Sequence, residues 1–235
     1  MNRTWRSALM AGIKRTWLDP FHIVHATLER GLARHSDHIR GRVLDLGCGT
    51  KPYRRLFPGA TQYFGTETKR TFTPGGQADV TAFGEALPFG TGVFDAVICT
   101  EVLEHVPEPA DLLREVVRVM RPGGVLLLTT PQTWGLHEEP YDFYRYTKYG
   151  LQYLFHKAGL EMVDVAPTTG TLGTVGQRLS SFFYYRLGGR TRLLKPLAVV
   201  VCAPIQMAFA AADWLTGRHG DTINWIALGR KPPSA

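Results

Sequence analysis

The sequence predicts an α/β protein built on a mostly parallel sheet with helices on both faces. Short apolar runs bounded by turn residues alternate with helical patterns, as strand–helix–strand units require. The first of these runs ends in a glycine-rich loop, the usual start of a ligand-binding edge in such sheets. A length of 235 residues is enough for one large domain of this class and short for two independent ones.

Near the N-terminus, Trp5, Leu9, Ile13 and Trp17 recur every fourth residue among basic side chains, which predicts an amphipathic helix over 5–17. Asp19-Pro20 should end it, and a second helix is expected over 21–35. Strands are then expected at RVLDL (42–46), TQYFGTE (61–67), ADVTAF (78–83), FDAVICT (94–100) and VLLLTT (125–130), with a helix over 110–120. RPGG (121–124) reads as a stop-and-turn signal. KYGLQYLFHKAG (148–159) is expected to be helical with Gly159 past its end, and LEMVDVA (160–166) and INWIALGRK (223–231) complete the strands. No internal repeat or low-complexity tract is evident.

These elements divide the chain into an N-terminal helical extension (1–40), a core (41–166), a helical insert (167–222) and a terminal strand with its tail (223–235). The insert contains LAVVVCAPIQMAFAAA (197–212), a charge-free run short of the ~20 residues that a membrane span takes, and interrupted by Pro204 and Gln206. It is expected to cover one face of the domain, to dimerise or to dock on a membrane surface. The net charge of +7 divides as +4 over 1–40, −3 over 41–166 and +6 over 167–235. Basic ends fit an anionic partner: nucleic acid, a phospholipid surface or a phosphorylated substrate. Cys48, Cys99 and Cys202 lie far apart with no CxxC, which suits a reducing compartment and predicts neither a disulfide framework nor a zinc site. No apolar signal-peptide core follows the basic N-terminus, so a cytoplasmic location is expected, with peripheral contact to the inner face of a membrane as an option.

The loop GCGTKPY (47–53) lets backbone N–H groups approach a ligand closely. Asp45 precedes Gly47 by two residues, and Glu67 ends the next strand, near the ~20-residue spacing at which an acid meets a ribose hydroxyl pair. The third glycine of a dinucleotide fingerprint is absent, and so is the lysine pattern of a P-loop. A nucleoside-type ligand without a pyrophosphate clamp remains.

With VLDLGCGT, ALPFGTGVFDAVICTEVLEHV and VMRPGGVLLLTTP in this order and spacing, the chain resembles the class I S-adenosylmethionine-dependent methyltransferases, in the branch with LDLGCG, LPF…FD, LEHV and RPGG motifs. The resemblance covers roughly residues 40–166 plus NWIALGRK, and HEEPYDFYRYTKYGL is similar to a segment of one subgroup. It implies a Rossmann-like seven-stranded sheet of order 3-2-1-4-5-7-6 with the last strand antiparallel. It also implies S-adenosyl-L-methionine as cofactor and S-adenosyl-L-homocysteine as product. Gly47 and Gly49 would flank the methionine part, Asp45 would order the loop and the ammonium, and Glu67 would bind the ribose. Cys48 and Thr100 belong to the same expected cofactor set. Phe83 stands where the family usually has an acid facing the adenine amine, so either Phe83 packs on the base or Glu85 or Asp79 substitutes.

The acceptor is expected over the strand ends, beneath TEVLEHV and PQTWGLHEEPYDFYRYT. His137 is the first choice for a base, with Asp142 as base or orienter, Arg145 as a carboxylate or phosphate clamp, and Tyr141 and Tyr144 as walls. Asp142 and Arg145, three apart, are also placed to pair and pin the loop. His105 in LEHV either supports the cofactor end or acts directly in proton transfer. No [ND]PP[YF] motif, Pro-Cys nucleophile or divalent-metal catechol site is recognised, and no metal is expected. An oxygen acceptor on a small molecule, sugar or lipid-linked glycan fits best. An RNA or protein acceptor, or a non-catalytic cofactor-binding role, stays open.

Overall fold

A strand paired in parallel on both sides must bury both faces, and β1 (Gly41–Leu46) does so: Val43, Leu44 and Leu46 are buried, and so is the one charge among them, Asp45. The computed structural model describes residues 16–68, 76–188 and 194–233. It divides into two compact units, one of residues 31–166 with 225–235, the other of residues 1–30 with 167–224.

In the first unit, β1 lies between β2 (Ala60–Glu67) and β4 (Phe94–Thr100), parallel to both. Next come β3 (Val80–Thr81), β5 (Met120–Pro131), β6 (Glu161–Pro167) and β7 (Asn224–Arg230), in the spatial order 3-2-1-4-5-7-6 with the last strand antiparallel. The expected order and orientation are therefore the observed ones. The helix α1 (His22–Arg34) precedes the sheet. Helix α2 (Pro109–Val119) opens with a proline in its first turn, where a missing N–H costs nothing, and buries Leu112, Leu113, Val116 and Val119 along one stripe. Helix α3 (Lys148–Lys157) is capped by the Thr147 side chain, which accepts from Gly150 N–H, and buries Leu151 and Phe155 one turn apart. Gly159 follows it at φ +79°, as its position predicted.

Two expected strands have other limits. ADVTAF contributes only Val80–Thr81, because the chain then turns over Phe83–Ala86, where Gly84 packs against Leu112. RPGG does not separate α2 from the fifth strand. β5 starts at Met120, opposite Phe94, bulges through 121–124 with Gly123 at φ +78°, and resumes at Val125 opposite Ala96.

The second unit contains α4 (Thr171–Gly188) and α5 (Lys195–Thr216). The predicted helix over 5–17 falls outside the described residues except at Thr16 and Trp17, which lie in a turn. The first N–H groups of α1 have no partner within the helix, and two buried glutamines supply one. Gln206 accepts from Ile23 N–H (3.2 Å) and donates to the Asp19 carbonyl (2.8 Å). Gln177 accepts from Val24 N–H (3.3 Å) and donates to the Pro20 carbonyl (2.9 Å). Asp213 on α5 accepts from Gly170 and Gly173 N–H at the start of α4. Gly176 lets α4 approach Phe209 more closely than any side chain would allow. Pro204 does not end α5, which at 22 residues is long and apolar enough to cross a membrane by length and composition. Its exposed side chains include Val200, Met207, Trp214 and Leu215.

Replacing Gln206 by leucine keeps the volume but leaves Ile23 N–H buried and unpaired, while the Asp19 carbonyl keeps His22 N–H as its donor. Gln206→Leu is therefore expected to cost about 1–3 kcal/mol, read as a lowered midpoint in thermal or urea unfolding.

Candidate functional site

The carboxyl ends of β1, β2 and β4 meet at one edge of the sheet, and an open cleft of about 800 Å³ lies there. Leu46, Gly47, Thr66, Glu67 and Thr68 line one end of it, with Ala82, Phe83, Gly84 and Glu85 along a side. Glu101, Val102, His105, Glu138 and Tyr141 line the other end. Gly47 is needed on two counts: φ is +62°, and a Cβ there would run into the Val102 side chain. Glu67 hooks the glycine loop to the end of β2, its two carboxylate oxygens accepting from Gly49 N–H (3.1 Å) and Thr68 N–H (3.2 Å). A carboxylate beside a glycine-walled backbone, with apolar Leu46, Ala82, Phe83 and Leu112 around it, suits a nucleoside whose hydroxyls donate and whose base is apolar in its faces. The residues present therefore fit S-adenosylmethionine.

Of the candidates for the adenine edge, Phe83 and Glu85 line the cleft. Asp79 is committed elsewhere, accepting from Lys51 Nζ (2.5 Å) and Gly65 N–H (2.7 Å). Cys48, Gly49 and Thr100 support the wall without lining it. Cys48 is buried, and burial pushes its thiol up to about 12. Asp45 also lies behind the wall, 4% exposed, accepting from the Tyr63 hydroxyl (2.8 Å).

At the other end the described residues bring together more acid and imidazole than the sequence suggested. The buried carboxylate of Glu104 accepts from Thr130 Oγ1 (3.2 Å) through Oε2, while Oε1 has no hydrogen-bond partner among the described residues. Burial and then the neighbouring Glu101 raise the Glu104 carboxyl well above its ordinary range. His105 Nδ1 sits 2.7 Å from the Tyr141 carbonyl, which fixes the proton on Nδ1 and leaves Nε2 as the lone-pair atom. The His137 ring meets that of His105 edge-on, 4.7 Å between centroids. Glu101 accepts from Thr129 Oγ1 (2.8 Å) and, like Glu138, is held at positive φ (53° and 52°). The third non-glycine residue in that region, Lys51 (φ 53°), belongs to the glycine loop, so this backbone strain gathers around the cleft.

HEEPYDFYRYT is organised by an ion pair. Asp142 receives Arg145 through both oxygens (2.7 and 2.8 Å) and also His137 N–H (2.9 Å). Arg145 spends its remaining donors on the carbonyls of Trp134, Gly135 and Tyr144. The Arg145 guanidinium holds the Asp142 carboxyl far below its usual range. Asp142 and Arg145 thus pair with each other and with the backbone of their own loop, the arrangement expected of a pair that pins it. Tyr144 is also turned away, donating to the Pro107 carbonyl (2.9 Å). Glu101, Glu104 and Glu138 were missed as site residues. The signal available for the first two was the pair of acids, three apart, that precede His105 in TEVLEHV.

Residues 44–128 match the family model of the methyltransferase domain. Together with the sheet, that match makes the core a class I S-adenosylmethionine-dependent methyltransferase domain. Among curated relatives, a ubiquinone biosynthesis O-methyltransferase of Xanthomonas oryzae pv. oryzae is 31% identical over 138 residues, 51% of this chain and 58% of that protein. An uncharacterised methyltransferase of Mycobacterium leprae is 34% identical over 108 residues, 42% of this chain and 40% of the relative. The chain thus spans about half the length of the curated relatives it matches. Among solved structures, an S-adenosylmethionine-dependent methyltransferase of Mesorhizobium loti aligns at TM-score 0.54 with 14% identity, over 86% of this chain and 97% of that one. The cyclase SpnF aligns at TM-score 0.57 with 21% identity, over 89% and 82%. At such identity the structural likenesses speak for the fold alone.

Asp45 gives a pH test. Burial raises its carboxyl to about 7 against the opposing Tyr63 hydrogen bond and the Lys51 charge. In the unfolded chain it titrates near ~3.9. Between about pH 4 and 7 the unfolded chain has released the proton and the folded protein has kept it, so stability falls as pH rises through that window. Asp45→Asn is expected to remove this contribution to the slope, measured by urea unfolding at a series of pH values.

Proposed function

We propose that this protein transfers the methyl group of S-adenosylmethionine to an oxygen atom of a small, lipid-associated or sugar acceptor. The observation that carries this reading is a single cleft lined by Glu67 and Gly47 of the glycine-loop region together with Glu101 and His105 of the loop after β4. The name of the ubiquinone biosynthesis relatives supports oxygen as the acceptor atom. When bound, the cofactor supplies a methyl group already activated on a sulfonium. The chain therefore has to align an acceptor in line with that group and take the proton of its hydroxyl. Glu67 and the loop hold the nucleoside end. Tyr141 and Val102 line the cleft beside Glu101 and His105. Glu101, with His105 beside it, is the cleft-wall group assigned to take the proton. Replacing either, as Glu101→Gln or His105→Ala, is expected to lower kcat by about 10²-fold or more.

The test is transfer of label from methyl-labelled S-adenosylmethionine into a cell extract split into lipid, aqueous, nucleic-acid and protein fractions, with Glu67→Ala as control. Label in the lipid or aqueous fraction, lost in the control, is the expected outcome. Label confined to nucleic acid or protein would overturn the acceptor class.

For the helical unit we infer a partner of anionic lipid. Exposed Trp214, Leu215, Met207 and Val200 share α5 with Lys195, and exposed Arg178 and Arg186 lie on α4. A unit that exposes both large apolar side chains and cations suits contact with an anionic headgroup layer. Co-sedimentation with phosphatidylglycerol vesicles is expected, and Trp214→Asp with Leu215→Asp should abolish it. Unchanged co-sedimentation of that double variant would remove α5 as the contact.

A further inference from the structure

We propose that Glu104, His105 and His137 bind a divalent first-row transition ion, such as zinc, manganese or cobalt, at the acceptor end of the cleft. One ligand atom from each of the three lies within 4.8 Å of the others. In a closed tetrahedral site with bonds of ~2.0–2.1 Å, ligand atoms stand about 3.3 Å apart. The separation of Glu104 Oε1 and His105 Nε2, 3.7 Å, is close to that value and too long for a hydrogen bond.

Four further features point the same way. Glu104 is completely buried, yet Oε1 has no hydrogen-bond partner among the described residues and lies 3.7 Å from His105 Nε2. A buried carboxylate oxygen left unpaired is costly, and an ion removes that cost. Each ring is also oriented from behind, as metal-bound histidines are. His105 Nδ1 is placed 2.7 Å from the Tyr141 carbonyl, and His137 Nδ1 lies 3.2 Å from the Gly135 carbonyl and 3.3 Å from Asp142. Both Nε2 atoms are left as lone-pair donors. The other oxygen of Glu104 is held by Thr130. Finally, the Asp142–Arg145 pair, which takes part in no cleft wall, now has a purpose: it fixes the segment that carries His137 and its carbonyl partner.

Two imidazoles and one carboxylate favour a transition ion over magnesium or calcium, which prefer all-oxygen sets. Three protein ligands leave coordination positions open toward the cleft, where Glu101 and Glu138 stand. This extends the proposed methyl transfer and rests on it. An acceptor oxygen bound to the ion has a weakened O–H bond, its proton passes to the Glu101 carboxylate, and the oxygen lone pair forms the new bond to the methyl carbon as the carbon–sulfur bond breaks.

The experiment is titration of the metal-stripped full chain with Co²⁺ and Zn²⁺, followed by cobalt visible absorption and by calorimetry. One equivalent is expected to bind, with d–d bands of a nitrogen–oxygen site. Glu104→Gln, His105→Ala and His137→Ala should each weaken binding by 10-fold or more, while Glu67→Ala should not. Circular dichroism and S-adenosylmethionine affinity report whether each variant is folded. No stoichiometric binding, or equal binding in all variants, would overturn the site. Metal binding without methyl transfer to any fraction would retain the site and reject the proposed reaction, so the two failures are distinct.

Discussion

The molecule depends on one constraint, the burial of β1 and β4 on both faces while they pair in parallel. Val43, Leu44, Ala96, Val97, Ile98 and Cys99 are all buried, and the register Val43–Ala96 to Leu46–Cys99 runs without interruption. Parallel pairing forbids hairpins, so each strand leaves at the same edge and returns by a crossover. The loops after Leu46 and Thr100 are therefore neighbours, and Gly47 and Val102 meet across them. The cleft follows from this meeting. Removing any one of its liners changes what it holds, whereas unpairing β1 and β4 would remove it altogether.

Around that edge the protein spends stability. A buried carboxylate behind the wall, a second buried carboxylate with an unpaired oxygen, and three non-glycine residues at positive φ are each unfavourable alone. They are carried by groups that gain: Glu67 on two N–H donors, Asp142 on three, Arg145 on four acceptors. Asp142 and Arg145 contribute by immobility, because a histidine on a loop is useful only where its ring has one orientation. The helical unit solves a similar problem differently, placing Gln177, Gln206 and Asp213 at helix starts where backbone donors lack partners.

By itself the sequence determined most of the elements along the chain, because these rest on local signals: apolar runs of strand length, a stripe on α2 and glycines at turns; the order of the strands in the sheet came from the family resemblance. Gly47, Glu67 and Phe83, expected around one ligand, line one cleft, since all three lie at strand ends or just beyond. What only the tertiary structure decided was partnership. Asp142 was legible as a charge beside a histidine, but whether it served as base or brace depended on Arg145 having no better partner. Glu104 carries no reading of its own within LEHV, and its role depends on Thr130, from another strand, and the ring of His105 approaching it. Gln206 read as an interruption of an apolar run and proved to be a bond to the start of α1. Local propensity acts over a few residues and is written in them. The protonation and role of a buried polar group depend on which distant segments approach it, and that is decided only when the chain packs.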